Sequence, residues 1–405
     1  MENYNTTYAT FLQLVRLGIG TSKDAEIPKE VDWVALKALA DRQGLSAVVL
    51  DGLNTDGANL TDTMPLQMKL EWIGEVLQGE QVYKLQHEVA KDMSNLFHNN
   101  AIRTYVLKGD VIAECYPKPE HRVSVDLDCF LVEETSSKIH VSGSKGFDAW
   151  SLGNDLIRSK HFDVKTDFYK NSTFDISGVV VENHQYMVPF RGNERLEKLE
   201  RFFQEQFKEF NSLSSLRDQE FENSRIGDTW LYRPPVMVSA LFLIEHAYSH
   251  FLHEGLTWRM VLDWVLFRKK HKDEIHWGDF EALIDEYGFR MFYDVFSEIG
   301  QEVFNDSSRI LETFGTSDQG RARELENPTS KGSKVAKLKG MMLNDIWAPL
   351  DVHETVRGWR GKLALAGNTW RARWKYRYFT DMNWMKALWI QAKGVLFEKH
   401  PTLDS

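Results

Sequence analysis

Two hydrophobic rhythms alternate along the chain. Through about the first hundred residues, apolar side chains return every three or four positions, the period of an amphipathic helix. Thr7 to Leu17 and Val34 to Gly44 read as short helices, and Gln67 to Asn99 as a long one. The long segment has no proline and only Gly74 and Gly79 as weak points. Its apolar positions are Leu70, Ile73, Leu77, Val82, Leu85, Val89, Met93, Leu96 and Phe97. From residue 101 the rhythm changes. Thr104 to Leu107 and Val123 to Val132 have the composition of buried strands. Phe162 to Asp175 reads as a hairpin turning at Tyr169-Lys170-Asn171-Ser172, and Gly178 to Tyr186 opens with three valines. Beyond about residue 195 helical spacing returns, broken at Arg233-Pro234-Pro235 and over Gly315 to Lys334. The pattern predicts an α/β (α+β) chain. A small mixed sheet in residues 101–192 lies between helical regions at 1–100 and 193–405.

Two acids interrupt the run from Val123 to Val132. Asp126 and Asp128 stand two apart, so on a strand both carboxylates project from one face. Burying them is costly unless a cation or hydrogen bonds compensate, and Mg²⁺ or Mn²⁺ is the usual cation for such oxygen donors. The competing reading is a structural ion pair with Lys108 or Arg122. Lys108-Gly109 ends the preceding strand-like segment. A glycine there lets backbone N–H groups approach a phosphate, and the lysine adds positive charge. Arg122 fits either of two roles, phosphate ligand or charge partner that keeps Asp126 ionised.

Leu107-Lys108-Gly109, Tyr116-Pro117, Arg122, Asp126-x-Asp128 and Phe130-Leu131-Val132 follow one another in an order that carries a family likeness. The segment resembles the uncharacterised bacterial nucleotidyltransferases of the DNA polymerase beta-like nucleotidyltransferase superfamily. The resemblance covers about residues 30 to 270 and is specific around 106–132 and 179–186. It implies a glycine turn ahead of the paired aspartates and a third carboxylate on a neighbouring strand. The superfamily's usual Gly-Ser turn is replaced here by Lys108-Gly109-Asp110, with no serine. Lys-Gly is the smaller family's form, and Asp110 stands where a small residue is commoner. Glu182 is the leading third acid, with Asp163, Asp167 and Asp175 as rivals. The family's valine/leucine-Glu-x-His segment is matched by Glu182 and His184, which share a strand face.

The resemblance implies transfer of a nucleoside monophosphate from an NTP, with ATP the expected donor, and release of pyrophosphate. Asp126, Asp128 and Glu182 would hold two Mg²⁺ ions (or Mn²⁺) about 3.5–4 Å apart. Lys108 and Gly109 would bind the triphosphate, and Arg122 would balance charge as pyrophosphate leaves. The acceptor, whether small molecule, tRNA or protein, is open.

A second cluster follows Pro235. His246, His250 and His253 fall on one helical face, but the His-Glu-x-x-His order of zinc proteases is absent. Arg259 and Asp263 lie one turn apart, which predicts a local ion pair. The resembled family often shows a similar His-x-x-x-His helix followed by an arginine and Asp-Trp. Two readings stand. One is a polar interhelical network. In the other, His246, His250 and Arg259, together with His184, line the cleft opposite the carboxylates and touch nucleotide or acceptor. From Trp370 to Phe379 cations alternate with aromatics. That pattern fits a helix whose Arg and Lys stems cover aromatic neighbours, or a surface that meets RNA or a membrane.

Composition narrows this only modestly. A chain of 405 residues with 42% hydrophobic and 27% charged residues is ordinary globular material. A net charge of -10 argues against a protein that simply coats nucleic acid. No apolar run reaches the ~18 residues of a membrane span, and Met1-Glu2-Asn3-Tyr4-Asn5 does not begin a signal peptide, so a cytoplasmic protein is expected. Cys115 and Cys129 are expected as structural thiols. Two rival functions belong to other classes. One is a sugar-nucleotide-dependent glycosyltransferase using Asp-x-Asp with Mn²⁺, and the other a non-catalytic nucleotide-binding module.

Overall fold

The computed structural model describes residues 2–28, 30–55, 64–134, 148–166, 171–188, 193–213, 219–304, 331–347, 372–380 and 383–386. Four helices come first: α1 (Glu2–Gly18), α2 (Trp33–Arg42), α3 (Ser46–Leu53) and α4 (Leu66–His98). Asp32 caps α2, its carboxylate accepting the Ala35 amide at 2.9 Å. The apolar rhythm did not announce α3: its eight residues are too short and too uniformly apolar to show a period.

The expected apolar stripe of α4 is buried only toward its C-terminal end. Val89, Met93 and Phe97 are buried, whereas Leu70, Leu77, Val82 and Leu85 are exposed. The buried face is a different one: Trp72, Gln86, Ala90, Met93 and Phe97 are buried, and Val76 and Tyr83 partly so. They form one line down the helix that packs on α3 at one end, where Trp72 Nε1 donates to the Ser46 carbonyl, and on the sheet at the other.

Six strands form one mixed sheet: β1 (Ile102–Val106), β2 (Asp126–Glu133), β3 (Lys165–Thr166), β4 (Asn171–Ile176), β5 (Val179–His184) and β6 (Leu231–Tyr232). Their order is β3-β4-β5-β2-β1-β6. β1 runs antiparallel to β2, and β5 runs parallel to it with Asp128 opposite Glu182 and Asp126 opposite Val180. The β4–β5 hairpin turns on Ser177 (φ 58) and Gly178 (φ 86), the left-handed pair that a tight hairpin requires.

Three expectations need correction. β2 begins at Asp126, not Val123, and Val123 and Val125 face solvent, 43% and 76% exposed. Asn171 and Ser172 belong to β4, not to a turn; Tyr169 and Lys170 lie outside the described residues. Helix alone was expected beyond residue 195, yet β6 pairs parallel with β1, a two-residue strand too short for alternation to reveal.

The remaining helices are α5 (Asp110–Ala113), α6 (Ala149–Ser159), α7 (Glu194–Leu213), α8 (Gln219–Asn223), α9 (Val236–His253), α10 (Trp258–Lys270), α11 (Trp277–Glu286), α12 (Arg290–Phe304) and α13 (Lys331–Trp347). α6 and α7 cover the sheet, while α10 packs on α12 and α12 on α13. Of the expected loop from Gly315 to Lys334, residues 315–330 lie outside the described residues and the rest opens α13. Residues 372–379 are helical, with Ala372, Tyr376 and Phe379 buried. Buried Lys375 pairs with Asp345 at 2.6 Å and lies 4.7 Å from the Phe251 ring, so this stretch packs as a helix over aromatic neighbours. Trp370 and Arg371 lie outside the described residues. Among the described residues no helix is long and apolar enough to cross a membrane. Both thiols are free, and burial pushes the Cys115 thiol up to about 12.

Candidate active site

The parallel pairing of β2 with β5 puts Asp128 and Glu182 side by side, and one pleat later His184 points to the same face. Asp128 is buried, and two side chains meet it. Lys108 Nζ stands 2.9 Å from Oδ2, and His184 Nε2 stands 2.8 Å from Oδ1. Burial alone would push the Asp128 carboxyl up. The Lys108 charge and the His184 hydrogen bond outweigh it and hold the carboxyl well below the usual range. The Lys108 pair expected by the competing ion-pair reading is therefore present.

Asp126 differs. It is half-buried at the head of β2, and burial, then the Asp128 charge, pushes its carboxyl up, with Glu182 acting in the same direction and Lys108 against it. Glu182 accepts from Asn171 Nδ2 at 2.7 Å, and its Oε2 lies 3.6 Å from His184 Nε2. His184 is fully buried, with Nδ1 facing the Tyr186 carbonyl at 3.3 Å. Asp128, Glu182 and His184 each offer a ligand atom, and these atoms lie within 4.8 Å of one another. Adjacent ligands on an ion with ~2.1 Å bonds are about 3 Å apart, between the 2.8 and 3.6 Å separations found here. The donor set thus fits a divalent cation. Among the described residues, the rivals of Glu182 do not join it. Asp175 caps the Gly178 amide in the hairpin turn, Asp163 is exposed ahead of β3, and Asp167 lies outside the described residues.

Gly109 heads α5 with φ 58 and ψ -115, a conformation open to glycine and closed to residues with a Cβ. Asp110, buried directly after it, meets His87 Nδ1 of α4 at 3.2 Å. That contact accounts for an acid where a small residue is commoner. His87 had no signal of its own in the sequence, being one polar position on a long helix.

Arg122 answers Asp263, not Asp126. Its Nε and Nη2 each donate to that carboxylate at 2.9 Å, and Tyr116 OH adds a third bond at 2.7 Å. Arg122 and Asp263 are both buried, and this partner holds the guanidinium pKa up against burial. The local Arg259–Asp263 pair is replaced as well. Asp263 lies on the inward face of α10, whereas half-buried Arg259 donates to the Val123 carbonyl at 2.9 Å, beside the start of β2. Burial, then the like charge of Arg122, lowers the Arg259 pKa, while Asp126 among others raises it, so the Arg259 guanidinium lies within reach of that carboxylate's field.

The histidines of α9 are not members of the converging Asp128–Glu182–His184 trio. His246 packs on Phe242 and on His250 at 4.4 Å, and His250 pairs with Glu254 at 2.8 Å.

A cavity of about 360 Å³ opens beside this site, between α4 and residues 120–124. Tyr83, Gln86, Glu120, Arg122 and Ser124 are among its lining. Ser124 links it to the site: its Oγ donates to the Asp126 carbonyl at 3.0 Å and lies 3.8 Å from where a Cβ on Gly109 would stand.

The profile of a family described as "Uncharacterised nucleotidyltransferase" matches residues 29–305. No curated protein and no solved structure matches the chain.

Proposed function

The chain belongs to the uncharacterised nucleotidyltransferase family, and from that premise we propose that it transfers a nucleoside monophosphate from an NTP, ATP foremost, to an acceptor hydroxyl with release of pyrophosphate. The observation that carries the reading is the convergence of Asp128, Glu182 and His184 on one face of β2 and β5, with Asp126 at the strand's head. A divalent cation, Mg²⁺ or Mn²⁺, held by Asp126, Asp128 and Glu182 would draw charge from the phosphates and lower the pKa of the acceptor hydroxyl.

The chain's own groups do the remainder. Gly109 presents the turn's backbone with no side chain in the way of a phosphate, and Lys108 stands ready to exchange Asp128 for a phosphate oxygen. Glu182, half-buried and accepting from Asn171, would receive the acceptor's proton. Arg122 braces the site through Asp263, so residues 122–124 enter β2 at a set angle. The cavity lined by Tyr83 and Gln86 has room for a small-molecule acceptor or for the nucleoside. A glycosyltransferase would need alternating strands and helices ahead of Asp126. Here four helices precede β1, and only the short α5 and a 3-10 turn at Pro119–His121 follow it before β2.

The test is direct. Purified protein with labelled NTPs, Mg²⁺ or Mn²⁺ and a cell extract should label one acceptor class. Asp128→Asn should cut transfer by at least ~10²-fold while the fold persists. Full turnover in that variant would overturn the assignment.

A further inference from the structure

Among nucleotidyl-transfer sites built from oxygen donors, a buried imidazole within the ligand cluster changes which ion is preferred. We infer that His184 is itself a metal ligand, so that Asp128, Glu182 and His184 form a mixed oxygen–nitrogen site that favours Mn²⁺ over Mg²⁺. The inference rests on the metal dependence proposed above.

Three observations lead to it. His184 is fully buried, and its Nε2 points at both carboxylates, 2.8 Å from Asp128 and 3.6 Å from Glu182. Its other nitrogen faces the Tyr186 carbonyl at 3.3 Å, an outer partner for Nδ1–H once a metal takes the place of the Nε2 proton that now faces Asp128. The strands fix this geometry: Glu182 and His184 are two apart on β5, and Asp128 is the registered partner of Glu182 on β2. Asp126, by contrast, is absent from the converging trio and remains at the strand's head, where a second ion or the nucleotide phosphates would face it. Mg²⁺ holds to oxygen and water, whereas first-row transition ions accept imidazole readily. A site with one nitrogen among its donors therefore discriminates against Mg²⁺ through chemistry as well as size.

Mn²⁺ is the probe, added to the full chain without nucleotide. Pulsed electron paramagnetic resonance should show the hyperfine coupling of a bound nitrogen, and histidine labelled with ¹⁵N should change that pattern in the unmutated protein. His184→Gln should remove the coupling, weaken Mn²⁺ binding by at least the ~10–100-fold that losing an outer partner already costs, and leave Mg²⁺ binding nearly as it was. If His184→Gln fails to fold, Glu182→Gln serves in its place. It should weaken Mn²⁺ binding while the Mn²⁺ still bound keeps its nitrogen coupling, and a coupling absent from the unmutated protein, or unchanged by ¹⁵N-labelled histidine, would overturn the inference. Mn²⁺ bound through oxygen and water alone, or no Mn²⁺ bound at millimolar concentration, would also overturn it. The proposed function fails separately. Nitrogen-coupled Mn²⁺ in a protein that transfers no nucleotidyl group would leave the ligand set standing, and oxygen-bound Mn²⁺ in an active enzyme would do the reverse.

Discussion

Arg122 offers the sharpest division between a structural brace and a nucleotide ligand. Replacing it with Met keeps the aliphatic stem but leaves the Asp263 carboxylate buried, with only Tyr116 OH as a described hydrogen-bond partner. Removing one partner of a buried pair costs about 3–5 kcal/mol, because the other charge stays desolvated. Both groups are about 5% exposed and joined by two 2.9 Å bonds, so the full range applies without a discount for screening. With a urea dependence of about 3 kcal/mol per molar, the unfolding midpoint should fall by about 1–1.7 M. The double variant Arg122→Met with Asp263→Leu removes both charges and should recover most of that loss. Tyr116 would still lack its acceptor, at about 1 kcal/mol. Circular dichroism during urea titration measures all three proteins, and calorimetric titration of the folded fraction with a non-hydrolysable NTP should show affinity close to the parent's. An Arg122→Met protein that keeps its midpoint but loses nucleotide affinity would refute the brace and return Arg122 to the phosphates.

Other outcomes follow from single contacts. Gly109→Ala meets nothing closer than Ser124 Oγ at 3.8 Å, so its penalty is backbone strain of about 1–3 kcal/mol at φ 58, visible as a lower melting temperature together with weaker NTP binding. His121 sits between Asp51 and Glu80; burial lowers its pKa, but the two carboxylates outweigh that and raise it above 6.5. The stabilisation is therefore complete below the unfolded value near 6.5 and lost as pH rises through the higher folded value. A melting-temperature profile should fall across that window in the parent and be flatter in His121→Gln. Lys375→Ala strands Asp345, whose carboxyl burial already pushes up, so limited proteolysis should cut near residues 372–379 faster than in the parent.

Much of the site was legible in the sequence because strands impose a period of two. Asp126 with Asp128, and Glu182 with His184, could be assigned to shared faces from spacing alone, and the apolar residues around them marked the strands that carry them. The long α4 and the run of C-terminal helices were legible for the same reason, as sustained periods. What periodicity could not supply was partnership between distant segments. Parallel register between β2 and β5 decided that Glu182, and neither Asp163 nor Asp175, stands beside Asp128. Asp263 lies 141 residues beyond Arg122, and only the packing of α10 under the motif makes them a pair. Without that fold, the nearer Arg259 was the natural partner by helical spacing. The buried face of α4 has the same origin: Leu70, Leu77, Val82 and Leu85 carry the apolar period and stay exposed, while packing on α3 and on the sheet buries the line from Trp72 to Phe97. Local chemistry is written along the chain; which charges meet, and which apolar faces stay wet, is settled by long-range packing that no local pattern encodes.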